Sequence, residues 1–128
     1  MITLHNTYFD TYPYFVHSNG SRRKNPQGIK FRGEVLQYMK DNPYSGVGGM
    51  RDTIYFTCNS RTEEFGSLEQ TLRYFKVPHV VKGHGTPAWR NTMKAPLLVD
   101  YVSEATTEYT MGIDCYDVCL IKEADALC

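Results

Sequence analysis

Two aspartates three residues apart, Asp114 and Asp117, are the residues in this sequence whose type and spacing best suit metal chemistry. They follow an apolar segment in which Tyr109, Met111 and Ile113 alternate, a pattern that predicts a β-strand. Buried carboxylates are costly unless a cation or hydrogen bonds compensate them. At the carboxyl end of an α/β strand, such oxygens suit Mg²⁺ or Mn²⁺ better than zinc. The alternative interpretation is a D-x-x-D pair that only caps a turn.

The surrounding stretch, residues 107–121, is predicted to be a buried strand that runs into these aspartates, because an apolar run resumes at Val118. Upstream, strands and helices alternate. The predicted strands are Thr53–Cys58, His79–Val81 and Tyr109–Ile113, and the predicted helices cover about residues 63–76 and 92–103. The helical residues expected to face the core are Phe65, Leu68, Leu72, Phe75, Leu97, Leu98, Tyr101 and Val102. This βαβαβ order predicts a three-layer, Rossmann-like α/β fold with a mostly parallel sheet.

The first part of the chain is less regular. An aromatic extended segment at residues 12–16 leads to His17 and a turn at Asn19 and Gly20. A basic loop with Arg22, Arg23 and Lys24 follows, and then a helix whose apolar face is Phe31, Val35, Leu36 and Met39. A Gly- and Ser-rich segment then predicts a connector. We therefore divide the chain into residues 1–45, a connector at 46–52, and the βαβαβ unit at 53–128.

Composition narrows the classes of function. The chain has 14 basic and 14 acidic residues, so its formal charge of zero argues against non-specific nucleic-acid binding and against a polybasic membrane contact. No apolar run reaches the roughly 20 residues of a membrane span, and no signal peptide is recognisable. We expect a cytoplasmic protein whose cysteines are reduced, since three of the four fall in or beside predicted strands. The spacing of Cys115 and Cys119 is not typical of a zinc site.

The sequence DCYDV after an apolar strand resembles the metal-binding motif of the glycosyltransferase domain of procollagen lysyl hydroxylases and their bacterial and viral relatives. SRTEEF, LRYF and AWRN resemble further segments of that domain. The resemblance implies a GT-A-type fold that binds UDP-glucose or UDP-galactose through Mn²⁺ or Mg²⁺. It makes Asp114 and Asp117 metal ligands and implies that Tyr116 and Trp89 sandwich the uracil. Ser60 and Lys94 fall in the matching nucleotide-binding segments.

The segment FDTYPYFVHSNG resembles another part of the same domain, which lies near its C-terminal end. This resemblance implies that His17 is the third metal ligand and that Asn19 and Gly20 line the diphosphate. Arg23, or its neighbour Lys24, would contact a phosphate. Ser18 stands where the family has glycine, so this chain departs from the pattern beside the predicted ligand.

The two similar segments occur in the reverse of the family's order, and the part between them is missing. A truncated circular permutant, a junction between tandem modules, a broken reading frame, or a half completed by a second chain would each account for this order. The predicted function is a metal-dependent glycosyltransferase with an unidentified acceptor. The alternatives are a non-catalytic nucleotide-sugar-binding half and an α/β interaction module without a ligand.

Overall fold

A computed structural model describes residues 4–18, 24–48, 53–61 and 65–123. Its elements are β1 (Phe15–His17), α1 (Pro26–Asp41), β2 (Thr53–Cys58), α2 (Ser67–Tyr74), β3 (His79–Lys82), α3 (Lys94–Glu104), β4 (Tyr109–Gly112) and β5 (Val118–Leu120). A 3₁₀ turn at Asn91–Met93 precedes α3. The fold is mixed α/β. None of the helices in these described ranges combines the length and apolar character needed to cross a membrane.

A three-stranded parallel sheet has the order β3-β2-β4, with Tyr55 of β2 opposite His79 of β3 and Met111 of β4. This confirms the prediction that these three strands share one parallel sheet. From β2 the chain first adds β3 on one side and then crosses to add β4 on the other. The direction of winding therefore reverses between β2 and β4. Open α/β sheets bind ligands at the carboxyl ends of strands where such a reversal occurs.

Neighbouring residues of β2 point to opposite faces of this sheet. Both faces carry apolar side chains, so helices cover both. Tyr55 is fully buried in one cluster with Leu68 and Leu72 of α2. Phe56 stacks on Tyr101 of α3, with ring centroids 5.2 Å apart. The alternation of large side chains along β2 thus separates two apolar layers, one beneath each helix.

A second, two-stranded sheet pairs β1 with β5 in antiparallel orientation, with His17 opposite Val118. Two strands alone are marginally stable in water, and here α1 covers them by packing Val35 against Cys119 and Ile121. This sheet joins the first part of the chain to the βαβαβ unit. Gly46 also contacts this unit, since its carbonyl accepts a hydrogen bond from Lys76 at 3.1 Å. The domain division at 46–52 stays a prediction.

The prediction of one buried strand over residues 107–121 is wrong. The stretch forms two strands in different sheets, β4 and β5, and residues 113–117 turn the chain between them. β4 is also an edge strand, so Tyr109 is half exposed instead of buried. A continuous apolar run does not distinguish one long strand from two short ones that face different layers.

Three smaller details of the helices and strands also differ from the predictions. α2 begins at Ser67, so Phe65 precedes it and is half exposed, with the Arg73 guanidinium 4.0 Å above its ring. In α3 the buried residue is Tyr101, whereas Val102 is half exposed and does not face the core. The segment predicted to be extended at residues 12–16 forms a strand only from Phe15 onwards. Tyr12, at its start, is exposed and lies outside the strand. Of the predicted apolar face of α1, Phe31, Val35 and Met39 pack in the core, whereas Leu36 is only half-buried and lies outside the core clusters.

Candidate metal centre and adjoining cavity

His17, Asp114 and Asp117 each offer one ligand atom, and these three atoms lie within 4.8 Å of one another. The pairing of β1 with β5 brings His17 to this position, and its Nε2 lies 3.0 Å from Asp117 Oδ2. Next to it, the backbone N–H of Ser18 donates to the Asp117 carbonyl at 2.7 Å. The predicted proximity of the three residues is present, and their role as metal ligands stays a prediction.

The turn that carries the aspartates is held through its backbone carbonyls. The backbone N–H of Leu68, in the first turn of α2, donates to the carbonyl of Cys115 at 3.0 Å. The hydroxyl of Ser67 donates to the carbonyl of Tyr116 at 2.8 Å, and Arg32 of α1 donates to the same carbonyl at 2.7 Å. Two helices therefore fix this turn, so the two carboxylates are positioned before any ligand binds.

The donor set of one imidazole and two carboxylates can hold a divalent cation. Metal–ligand distances near 2.1 Å place the ligands of one such ion roughly 3–4 Å apart, so a shift of about 1 Å brings the three atoms into range. Three protein ligands leave further positions for phosphate or water. In the structure Lys94 Nζ lies 2.5 Å from Asp114 Oδ1. An ion held by Asp114 therefore has to replace this ammonium group.

A cavity of about 510 Å³ adjoins the cluster at the carboxyl ends of β2 and β4. Six of the predicted site residues line it: Ser60, Trp89, Lys94, Asp114, Tyr116 and Asp117. Three others, Asn19, Gly20 and Arg23, lie outside the described residues. The structure thus gathers side chains from four separate segments of the chain at the point where the winding of the sheet reverses.

The two predicted stacking residues are held differently. Trp89 is half-buried and packs near Gly83, where an added Cβ would lie 3.0 Å from the indole ring. The hydroxyl of Tyr116 donates to Asn59 Oδ1, and the Arg61 guanidinium lies 4.9 Å from the Tyr116 ring centroid. Partial burial raises the pKa of Tyr116, which keeps this hydroxyl a hydrogen-bond donor. Both rings line the same cavity.

Several residues of this site were not predicted from the sequence. Arg32 and Arg61 line the cavity, and together with Lys94 they surround it with three cations. Asn59 and Glu69 lie fully buried behind Tyr116. Arg61 and Asn59 follow β2 directly, so their position at the carboxyl end of a strand is a signal that could have identified them. Arg32 lies in a helix, and its sequence neighbours carry no such signal.

A larger cavity of about 720 Å³ lies beside β4 and is lined mainly by apolar side chains, including Phe15, Leu98 and Met111. It shares Lys94 and Asp114 with the smaller cavity. The ion pair formed by these two residues is therefore part of the wall between an apolar and a polar compartment.

The thiol of Cys115, between the two aspartates, is expected to be unreactive. Cys115 is buried and donates to Glu69 Oε1 at 3.1 Å, and burial together with Glu69 raises the pKa of this thiol to about 12. Since the thiolate is the reactive form, iodoacetamide at pH 8 should modify Cys115 far more slowly in the native protein than in urea. Peptide mapping by mass spectrometry measures both rates. Similar rates in the two states would contradict the buried position of Cys115.

The raised pKa of Cys115 makes the free energy of unfolding depend on pH. In the unfolded chain the thiol of Cys115 ionises near pH 8.5, whereas in the folded protein it stays protonated up to about pH 12. The folded state therefore binds more protons across this window, and the free energy of unfolding falls as the pH rises through it.

Chemically, the site brings a cluster of one imidazole and two carboxylates together with three cations and two aromatic rings that line one cavity. Such a combination suits a ligand with both anionic groups and a planar ring. No family model matches this chain, and no curated protein or solved structure matches it either.

Proposed function

We propose that the chain binds the uridine diphosphate moiety of a nucleotide sugar through a divalent cation, as the donor-binding part of a metal-dependent glycosyltransferase of GT-A type. One observation carries this proposal. Asp114 and Asp117 of the cluster line the same cavity as Trp89 and Tyr116, where the winding of the parallel sheet reverses, and His17 lies beside these aspartates in the wall of the larger cavity.

Size and charge support this ligand. A volume of about 510 Å³ lies within the roughly 300–1,000 Å³ typical of small-molecule sites. Asp114 and Asp117 alone would repel a diphosphate, and a divalent cation reverses that local charge. Once Asp114 binds the cation instead of Lys94, the ammonium group is available to an anionic ligand in the cavity that it lines.

When bound, the cation supplies Lewis-acid stabilisation of the charge that develops on the departing diphosphate. The residues of the chain have separate roles in this proposal. His17, Asp114 and Asp117 hold the ion, Lys94 adds positive charge beside it, and the aromatic walls orient the uracil. The two helices that fix the turn of the aspartates hold its backbone in place before the ligand arrives.

Calorimetric titration with UDP in the presence and absence of Mn²⁺ tests the proposal. We expect binding that depends on Mn²⁺, since the carboxylates otherwise oppose the diphosphate. UDP binding of equal strength without the metal, or no UDP binding at all, would refute the proposed site.

Replacing Trp89 with alanine should weaken UDP binding by about 1–3 kcal/mol, the typical contribution of one aromatic–base stacking contact. Titration of each protein with UDP and Mn²⁺ measures the change. Phe9→Ala is the control, because Phe9 is an exposed aromatic residue that does not line the cavity. An unchanged affinity in the Trp89 variant would show that Trp89 does not stack on the base.

A further inference from the structure

Behind the cavity, a buried chain of hydrogen bonds leads from Glu69 to Tyr116. The amide nitrogen of Asn59 donates to Glu69 Oε1 at 2.7 Å, and Asn59 Oδ1 accepts the hydroxyl of Tyr116. Glu69 is 1% exposed and Asn59 is 0% exposed. Within the described residues, Glu69 forms no ion pair. A carboxylate buried in this way is costly, so its presence beside the site requires an explanation.

Glu69 and the backbone N–H of Arg61 together fix which way the Asn59 amide points. The NH₂ group of Asn59 donates to Glu69 Oε1, because a carboxylate oxygen accepts hydrogen bonds. The amide oxygen is then directed to the other side, where it accepts from the Tyr116 hydroxyl and from the backbone N–H of Arg61 at 2.9 Å. With the amide reversed, its NH₂ group would face the N–H of Arg61, donor against donor.

The anchored ring lies at the wall of the cavity. Tyr116 is held by its hydroxyl at one end and by its backbone carbonyl at the other, where Ser67 and Arg32 donate. The Arg61 guanidinium lies 4.9 Å from the ring centroid. Because the Tyr116 side chain is already held in place, it loses little conformational entropy when a planar ligand stacks on its ring. A smaller loss of entropy gives tighter binding.

We propose that Glu69, acting through Asn59, is a positioning residue for the Tyr116 ring and thereby sets the preference of the cavity for ligands that carry a planar base. This role rests on the proposed function, because it concerns the base of the nucleotide. It separates two parts of the site. The ion cluster and the cations recognise the diphosphate, and the buried chain from Glu69 to Tyr116 serves only the base.

The experiment compares UDP with inorganic pyrophosphate, each titrated calorimetrically in Mn²⁺, for the wild type and for variants that break the chain. Tyr116→Phe removes only the anchoring hydroxyl. Glu69→Gln keeps the size of the side chain and removes the carboxylate that accepts from the Asn59 amide. We expect each variant to weaken UDP binding about fivefold, near the contribution of one hydrogen bond, and to leave pyrophosphate binding unchanged. The double variant should bind UDP no more weakly than Tyr116→Phe alone, because Glu69 acts through that hydroxyl.

The control is Tyr109→Phe, which removes a hydroxyl from a half-exposed tyrosine of β4 and should leave both affinities unchanged. Quenching of the fluorescence of Trp89, the single tryptophan of the chain, reports base binding independently of calorimetry.

A general loss of structure in a variant would weaken the binding of both ligands equally, and this result would overturn the positioning role. If the wild type prefers UDP and the variants keep this preference, the positioning role is overturned and the proposed function stays intact. A wild type that binds pyrophosphate as tightly as UDP would overturn both. If Glu69→Gln does not fold, Asn59→Ala, which breaks the chain between Glu69 and Tyr116, takes its place, and an unchanged preference for UDP in that variant would overturn the positioning role.

Discussion

Replacing Asp117 with alanine should remove the part of UDP binding that depends on Mn²⁺. Asp117 offers one of the three clustered ligand atoms, and its Oδ2 lies 3.0 Å from Nε2 of His17. Losing a residue that merely orients a metal ligand costs about 10–100-fold in metal affinity, and loss of a ligand itself should exceed that range. Titrations of the variant with UDP at several Mn²⁺ concentrations measure the effect.

The matched control is Asp100→Ala, which removes an exposed carboxylate from α3 and keeps the net charge of the two variants equal. It should bind UDP and Mn²⁺ as the wild type does. If both variants lose the same affinity, the effect comes from overall charge and not from coordination. Retained Mn²⁺ dependence in the Asp117 variant would exclude Asp117 from the metal site.

Gly66→Ala should destabilise the protein by about 3 kcal/mol, the upper end of the usual cost of overpacking. A Cβ on Gly66 would lie 2.5 Å from the carbonyl oxygen of Cys115 and would also overlap its sulfur. That carbonyl cannot easily move aside, because it accepts the backbone N–H of Leu68 at 3.0 Å. Urea denaturation followed by circular dichroism measures the change in the free energy of unfolding.

Gly33→Ala provides the opposite control within the same chain. Gly33 is an exposed residue inside α1, and no atom lies within 4 Å of the position of its added Cβ. Alanine should therefore stabilise the protein by about 0.5–1 kcal/mol, since glycine is unfavourable in a helix interior. Equal effects of the two substitutions would show that the close approach of Gly66 to Cys115 does not exist in solution.

The parallel sheet could be predicted from the sequence because local patterns determine it. Thr53–Cys58 is a run of β-branched and aromatic residues, and the helices on either side have apolar faces with the correct period. The break between β4 and β5 could not be predicted this way. Both sides of the turn are apolar, and the partner of β5 is β1, about 100 residues earlier. Periodicity carries no information about so distant a partner.

The candidate site was partly predictable from local sequence patterns and short motifs. The aspartates follow a strand, and His17, Trp89 and Tyr116 came from the resemblance of short motifs. The Lys94–Asp114 ion pair and the buried Glu69 were not predicted as such, since they depend on which helix faces lie together in three dimensions. An acidic residue in an amphipathic helix ordinarily faces solvent, so Glu69 looked like a surface residue.

The antiparallel pairing of β1 with β5 also has a consequence for folding. It closes a loop of about 100 residues, and the contact of His17 with Asp117 forms only when that loop closes. Non-local contacts of this kind form late, because the entropy of loop closure has to be overcome first. The parallel sheet relies on shorter connections and can form earlier. During synthesis the cluster cannot assemble until β5 has been made, and local fraying of β1 would remove the histidine while the parallel sheet remains folded.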